Sequence, residues 1–437
     1  MNHIVPGLIM YAIEDENDIL SRMSAICAEA EAEGADCDKL RKELFAVVKR
    51  LLVVATDYGF DENLWQNYLT FTLITQENPF SVTCEKLGAS EGSANHFAKS
   101  DYALFMKLFH YDFSALEKKL GTDCFTVLTN YRAIVKPELM YNRNVSEKVR
   151  ALSSRLAKCA DVQSFFDEVT GFYKSWGVGM FGLNKAFRIR EEQGKLAGYS
   201  PINNMQPVRL DDLVGCEEQK RKLRENTEAF VAGRKANNCL LFGDSGTGKS
   251  TSIKAIINEY YDEGLRMIEV YKHQFKYLSQ IISGIKIRNY KFIIYMDDLS
   301  FEENETEYKY LKAVIEGGAE TRPDNVLIYA TSNRRHIIKE TWKDKNDMEF
   351  ENGLHRSDTI EEKMSLVNRF GVTISFSKPS QKEYFAIVEA LAARAGIEMP
   401  AEELRLEANK WELAHGGISG RTAQQFINHL LGRASAE

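Results

Sequence analysis

The run Cys239-Leu240-Leu241-Phe242-Gly243-Asp244-Ser245-Gly246-Thr247-Gly248-Lys249-Ser250 decides the fold of this chain. Its apolar start has the length of a buried strand, and the residues that follow satisfy the spacing G-x-x-x-x-G-K-[ST] at the head of a helical pattern. Gly243, Gly246 and Gly248 let the backbone turn tightly and present N–H groups to phosphate oxygens, and the helix start adds a partial positive charge. Lys249 is expected to reach the β- and γ-phosphates and Ser250 to coordinate Mg²⁺. We therefore assign Gly243, Asp244, Ser245, Gly246, Thr247, Gly248, Lys249, Ser250 and Thr251 to the binding of ATP. A glycine-rich turn without a ligand is the alternative, and the strand before and helix after weigh against it.

A second run, Phe292-Ile293-Ile294-Tyr295-Met296, ends in Asp297-Asp298. An apolar strand closing on carboxylates puts an acid at the carboxyl edge of the sheet, beside a phosphate loop, where Mg²⁺ must be held. Asp297 is the expected metal ligand together with Ser250. Asp298 is expected to orient or deprotonate the attacking water, a place where such enzymes usually carry the longer glutamate. Glu302, in the acidic run Glu302, Glu303, Glu305, Glu307, is a possible substitute for that glutamate, although the run reads more simply as a solvated loop.

From Ile13 to Lys174 apolar residues recur at helical spacing, as in Leu44, Val47, Val48, Leu51 and Leu52, so residues 1–175 read as an all-helical N-terminal domain that holds a target or partner. Glycines 177, 179 and 182 and the polar stretch around Pro201 break the pattern, and residues 176–206 read as a linker. Residues 207–379 alternate short apolar runs with amphipathic helices, the form of a parallel sheet built from βαβ units. The expected strands are Cys239 to Phe242, Arg266 to Tyr271, Phe292 to Met296, Val326 to Ala330 and Val372 to Phe376. Residues 380–437 read as a helical lid, opened by Ser380 and Glu383, whose side chains can cap each other's backbone N–H. Lys339 to Glu362 is polar and charge-rich and reads as an insertion.

With 44% hydrophobic and 27% charged residues, the 437-residue chain has the composition of a globular protein with several domains. A net charge of −7 argues against coating nucleic acid by charge alone, although local basic patches can survive an acidic average. The seven cysteines show no zinc spacing, and no apolar run is long enough to cross a bilayer, so we expect free thiols, no membrane insertion and a cytoplasmic protein. Lys272, Lys276, Lys286, Arg288 and Lys291, interleaved with Tyr271, Tyr277 and Tyr290, form a basic segment that fits either single-stranded nucleic acid or, more commonly, a solvated helix face. His336, His355 and His415 lack metal-ligand spacing.

On these motifs residues from about 207 to the end resemble the AAA+ ATPases, and more narrowly the uncharacterised bacterial ATP-binding family known as domain of unknown function 815. The resemblance rests on Val208 to Gly215, Leu241 to Ser250, Asp297 to Glu302 and Tyr329 to His336, and less specifically on Glu77 to Phe80. It implies a P-loop AAA+ core with a five-stranded parallel sheet and a C-terminal helical lid. It also implies that Leu213, Val214 and Gly215 border the adenine, and that Asn333 is a sensor contacting the γ-phosphate or the water. Arg421, in Gly416-Gly417-Ile418-Ser419-Gly420-Arg421-Thr422, is implied to touch phosphate from the lid. Arg369, in Leu366-Val367-Asn368-Arg369-Phe370-Gly371, is implied to act in trans on a neighbour's ATP, with Arg334 and Arg335 as rivals. The expected function is an ATPase that reshapes a homo-oligomer acting on a macromolecular target, protein or nucleic acid. Alternatives are a slowly hydrolysing ATP-dependent switch or scaffold and, with less support, a P-loop small-molecule kinase.

Overall fold

The computed structural model describes residues 1–133, 143–203, 205–301, 305, 307–316, 323–333 and 369–434. The chain forms two compact units, Met1–Asn184 and Lys185–Glu437.

The described residues of the first unit hold ten α-helices, from α1 (Ile19–Glu31) to α10 (Gly179–Leu183), and no strand. Helical spacing buries one stripe of each long helix: in α2 (Cys37–Tyr58) the stripe is Leu40, Leu44, Val47, Leu51 and Ala55. Polar atoms carried inward find partners. Trp65 donates its indole N–H to the Leu108 carbonyl (2.8 Å), and the Tyr11 hydroxyl bonds those of Tyr102 (3.0 Å) and Tyr173 (2.6 Å), with Tyr173 in turn bonded to the Leu73 carbonyl (2.6 Å). Burial pushes the Tyr11 hydroxyl up to about 12, so this chain of tyrosines is neutral at any physiological pH.

The second unit is built on one sheet of seven strands: β1 (Ala186–Glu192), β2 (Lys195–Pro201), β3 (Cys239–Gly243), β4 (Leu265–Glu269), β5 (Lys291–Met296), β6 (Val326–Ser332) and β7 (Val372–Phe376). Their order is β2-β1-β4-β5-β6-β3-β7, parallel throughout except for the antiparallel β1–β2 pair. The five strands read from the sequence are β3 to β7. All but the first residue of β5 and every residue of β6 are buried, as expected of parallel strands covered on both faces. On one face, Leu223 and Phe230 of α11 (Glu217–Val231) and Ile253, Ile256 and Ile257 of α12 (Lys249–Tyr260) close the core over Leu241, Tyr295 and Tyr329. Two further helices, α13 (Leu278–Ile285) and α14 (Glu307–Glu316), lie in the connections flanking β5. The lid is a three-helix cluster, α15 (Gln381–Arg394), α16 (Ala401–Ala414) and α17 (Gly420–Ala434), packed on Tyr384, Val388, Ala408, Phe426 and Ile427. Its first helix carries the expected reciprocal cap between Ser380 and Glu383.

Two expectations need correction. Residues 176–206 are not a linker: 179–183 form a helix of the first unit, and 186–201 form a β-hairpin that widens the sheet from five strands to seven. The hairpin closes through Gln193 and Gly194, both at positive φ (51° and 73°), the backbone that a two-residue turn matched to strand twist requires. Its inner strand pairs with β4, and its tip holds the basic segment: Gln274 donates to Glu191 (3.0 Å) and Tyr277 to the Gly194 carbonyl (2.6 Å). Arg288 in that segment is buried and Lys272 donates to the Ser300 carbonyl (2.9 Å), so part of the expected free basic face serves packing. The insertion at 339–362, His336, His355, Glu302, Glu303, Arg334 and Arg335 lie outside the described residues.

A linker tolerates truncation and a sheet strand does not. Phe187→Ala, at a fully buried position of β1, should lower the stability of the full chain by about 3 kcal/mol in urea unfolding, whereas a linker residue would leave it unchanged.

Candidate active site

The site forms at the carboxyl ends of β3, β5 and β6. Gly243 ends β3 with φ 129°, and a Cβ there would sit 1.9 Å from the Phe376 carbonyl oxygen of β7, so only glycine lets the loop leave the sheet at this point. The neighbouring strand then steers the loop: Asp244 N–H donates to the Phe376 carbonyl (3.0 Å) and the Asp244 carboxylate accepts from Lys378 N–H (3.0 Å). Ser245, Gly246 and Thr247 form the crest, Gly248 turns at φ 95° into α12, and Ser250 and Thr251 occupy its first turn.

Lys249 is buried, yet its ammonium is met by three acceptors: the carbonyls of Gly243 (2.8 Å) and Asp244 (2.6 Å) and Oδ1 of Asn333 (3.1 Å). Burial lowers its pKa; the nearby Asp244, Asp298 and Asp297 charges oppose that, and Arg421 adds to it. The lysine is thus parked on backbone oxygens within range of a second cation.

Because β6 lies between β3 and β5, its end is the bridge of the site. The Thr331 hydroxyl donates to Asp297 Oδ1 (2.6 Å) and accepts from Asp298 N–H (2.9 Å), while Ser250 donates to the same Asp297 oxygen (2.8 Å). The protein packed behind Asp297 disfavours its charge, although one side of the carboxylate is open to solvent. The hydroxyls of Thr331, Tyr295 and Ser250 and the charge of Lys254 outweigh that cost and hold the group below the usual carboxylate range. Asp298 takes φ 50°, a left-handed turn that aspartate tolerates, and its carboxylate accepts from Asn333 Nδ2 (2.7 Å). One amide therefore spans the cation and the carboxylate, and those two partners fix which way it faces.

The lid reaches the same loop. Arg421 N–H donates to the Gly246 carbonyl (3.3 Å), and a Cβ on Gly246 would lie 3.1 Å from Ser419 Oγ and 3.2 Å from Arg421 Cβ. The N-termini of α12 and α17 thus meet at the loop crest, with Lys249 and Arg421 beside them, an arrangement suited to a polyanion. Leu213 lies against Gly248, its Cδ2 3.3 Å from where a Cβ would stand, and its carbonyl accepts from Lys220 (2.6 Å). Val214 is half-buried and Gly215 turns at φ 77° into α11, while Arg394 of the lid donates to the Asp212 carbonyl (2.6 Å), so this segment is gripped from both sides.

Arg369 is the predicted residue that the fold keeps apart. It is exposed and precedes β7, whose Val372 pairs with Cys239, so a strand length of about 16 Å separates its level from the phosphate loop. Thr331, Tyr295 and Ser419 belong to the site or its support and were not singled out by sequence; Thr331 stands in the quoted run Tyr329 to His336, where a hydroxyl two residues before Asn333 was the available signal.

An oxygen-only donor set of one hydroxyl and one carboxylate suits Mg²⁺, which keeps waters and substrate phosphates rather than an all-protein cage. No group of three or more His, Cys, Asp or Glu placed to hold a metal occurs among the described residues. The buried Tyr295 hydroxyl beside this pair makes no hydrogen bond of good geometry among the described residues, a polar atom left available for a rearranged site.

The sheet order, phosphate loop, acidic strand end, polar β6 end and lid arginine together define an AAA+-type P-loop nucleotide-binding protein. The chain belongs to the family described as "Protein of unknown function (DUF815)", which it matches over residues 183–434. It is similar to the chromosomal replication initiator protein DnaA of Borrelia hermsii, with 25% identity over 43% of this chain and 37% of that protein. It is also similar to the replication factor C large subunit of Methanococcus vannielii, with 31% identity over 18% of this chain and 16% of that protein. The chain thus spans well under half the length of these curated relatives. Among solved structures, the RuvB Holliday junction branch migration motor of Thermotoga maritima is similar at 15% identity and a TM-score of 0.31, covering 52% of this chain and 73% of that one.

Thr331→Val keeps the shape of the side chain but removes a donor to Asp297 and leaves Asp298 N–H without its acceptor. We expect a loss of about 1–3 kcal/mol in urea unfolding, and no loss if the bridge is ornamental.

Proposed function

We propose that the chain binds Mg²⁺·ATP at this loop and hydrolyses it, coupling nucleotide state to the lid and to a homo-oligomer. The observation that carries this reading is the meeting of two helix N-termini, Lys249 and Arg421 beside the Asp297 and Asp298 carboxylates. Gly243 to Thr251 cradle the phosphates through backbone N–H groups, and Val214 and Gly215 border the base. Ser250 and Asp297 would hold Mg²⁺, which would offset the charge of the phosphates. Lys249 leaves its carbonyl acceptors for the phosphates, a better partner for an ammonium. Asp298 accepts the proton of the attacking water, and Asn333, already tied to Asp298, keeps carboxylate and water in line. Arg421 follows the γ-phosphate from the lid, so its presence or loss closes or frees the lid.

Arg369 lies on the wrong edge of the sheet for its own nucleotide, which supports its use on a second copy's ATP and hence an oligomer. The helices of 1–184 then hold the macromolecular target. The seven cysteines are all free, in keeping with action in the reducing cytoplasm. A slowly hydrolysing switch is the second reading. It is favoured by the short Asp298 side chain being occupied by Asn333 at 2.7 Å.

Phosphate release from Mg²⁺·ATP tests the reading. Lys249→Ala and Asp298→Asn should each lower turnover at least 100-fold, with ATP binding retained in Asp298→Asn; wild type that binds ATP yet releases no phosphate supports the switch instead.

Wild-type specific activity should rise with protein concentration. Arg369→Ala should be slow alone yet recover part of its activity when mixed with Lys249→Ala, because the latter supplies the arginine. Activity independent of concentration and indifferent to Arg369 contradicts trans action.

A further inference from the structure

Tyr295 lies on β5, two residues before Asp297, which follows the strand, and its ring packs in the core covered by α12. Its ring is fully buried. Its hydroxyl is buried beside Ser250, Asp297 and Thr331, without a hydrogen bond of good geometry to any described residue. A buried hydroxyl without a partner costs stability, and phenylalanine would fill the same space without that cost. The oxygen therefore needs a use outside the nucleotide-free arrangement.

The neighbouring hydrogen bonds supply one. Asp297 Oδ1 accepts from two hydroxyls, Ser250 and Thr331. Thr331 is itself pinned by Asp298 N–H and stays in place. Ser250 does not: to offer its oxygen to a cation it must turn away, and the carboxylate then loses a donor at the moment when its orientation matters most. We propose that Tyr295 is a positioning residue for the Mg²⁺ site, its O–H taking over the Asp297 hydrogen bond that Ser250 gives up. The assignment rests on the reading of this site as one for Mg²⁺·ATP. It gives the buried hydroxyl a well-formed hydrogen bond in the loaded state that it lacks in the empty one, so Tyr295 couples the shape of the β5 end to occupancy of the site.

The test follows binding of a fluorescent N-methylanthraniloyl ATP to the full chain as Mg²⁺ is raised from an EDTA-buffered start, comparing wild type with Tyr295→Phe. The variant should need about tenfold more Mg²⁺ for half-maximal binding, bind the nucleotide equally in EDTA, and keep or raise the nucleotide-free Tm. That combination is one that a packing role does not give. An unchanged Mg²⁺ midpoint overturns the proposal. So does a lowered Tm with parallel loss of binding in EDTA, which marks the hydroxyl as structural. Wild type that fails to bind the nucleotide at any Mg²⁺ concentration overturns the nucleotide reading itself, and the Tyr295 assignment with it.

Discussion

One carboxylate oxygen, Asp297 Oδ1, ties the site together. It accepts from Ser250 at the head of α12 and from Thr331 near the end of β6, while Asp297 itself directly follows β5. Three elements that follow different crossovers are thereby fixed to one point within hydrogen-bond distance. This is possible because β6 is inserted between the phosphate-loop strand and the acidic strand, which brings its polar end between them. With Thr331 held, Asp298 N–H is held, and Asp298 in turn fixes Asn333, which reaches Lys249. The loop lysine and the acidic strand end belong to one network before any ligand arrives.

That network stores charge in an arrangement that is satisfied but not optimal. Lys249 lies buried on carbonyl oxygens, with the Arg421 charge within range and two helix N-termini directed at the loop crest. Neutral carbonyls answer a cation less well than an anion does, so a phosphate chain improves the position of every one of these groups. The lid shares the gain, because Arg421 and the Ser419–Gly420 turn pack on Gly246 itself. Under the proposed function, ligand binding and lid position would be linked through these contacts at Gly246 and through the Arg394 bond to the Asp212 carbonyl.

The sequence made the phosphate loop and the five parallel strands legible because both signals are local. Glycines at 243, 246 and 248 with Lys249-Ser250 form a contiguous motif, and apolar runs such as Phe292 to Met296 mark strands buried on both faces. The lid cap at Ser380 and Glu383 was legible for the same reason. The hairpin at 186–201 was not. Its inner strand does alternate, with Phe187 and Ile189 inward and Arg188 and Arg190 outward, but the alternation is short, the outer strand is half-exposed, and the turn is Gln-Gly rather than the commoner Asn-Gly. Only the pairing with β4, distant in sequence, makes it a strand. Thr331 and Tyr295 escaped for a related reason: a hydroxyl in an apolar strand gains meaning only from what the neighbouring strand places opposite it. The separation of Arg369 from the loop likewise follows from the direction of β7, not from the residues around the arginine.

The account stands on Lys249 being the anchor of a nucleotide site, and isothermal titration of the full chain with Mg²⁺·ATP measures that most directly, wild type against Lys249→Ala with folding of both checked by circular dichroism. We predict saturable binding of one nucleotide per wild-type chain and its loss in the folded variant. No binding to the wild type, or equal binding to both, would contradict it.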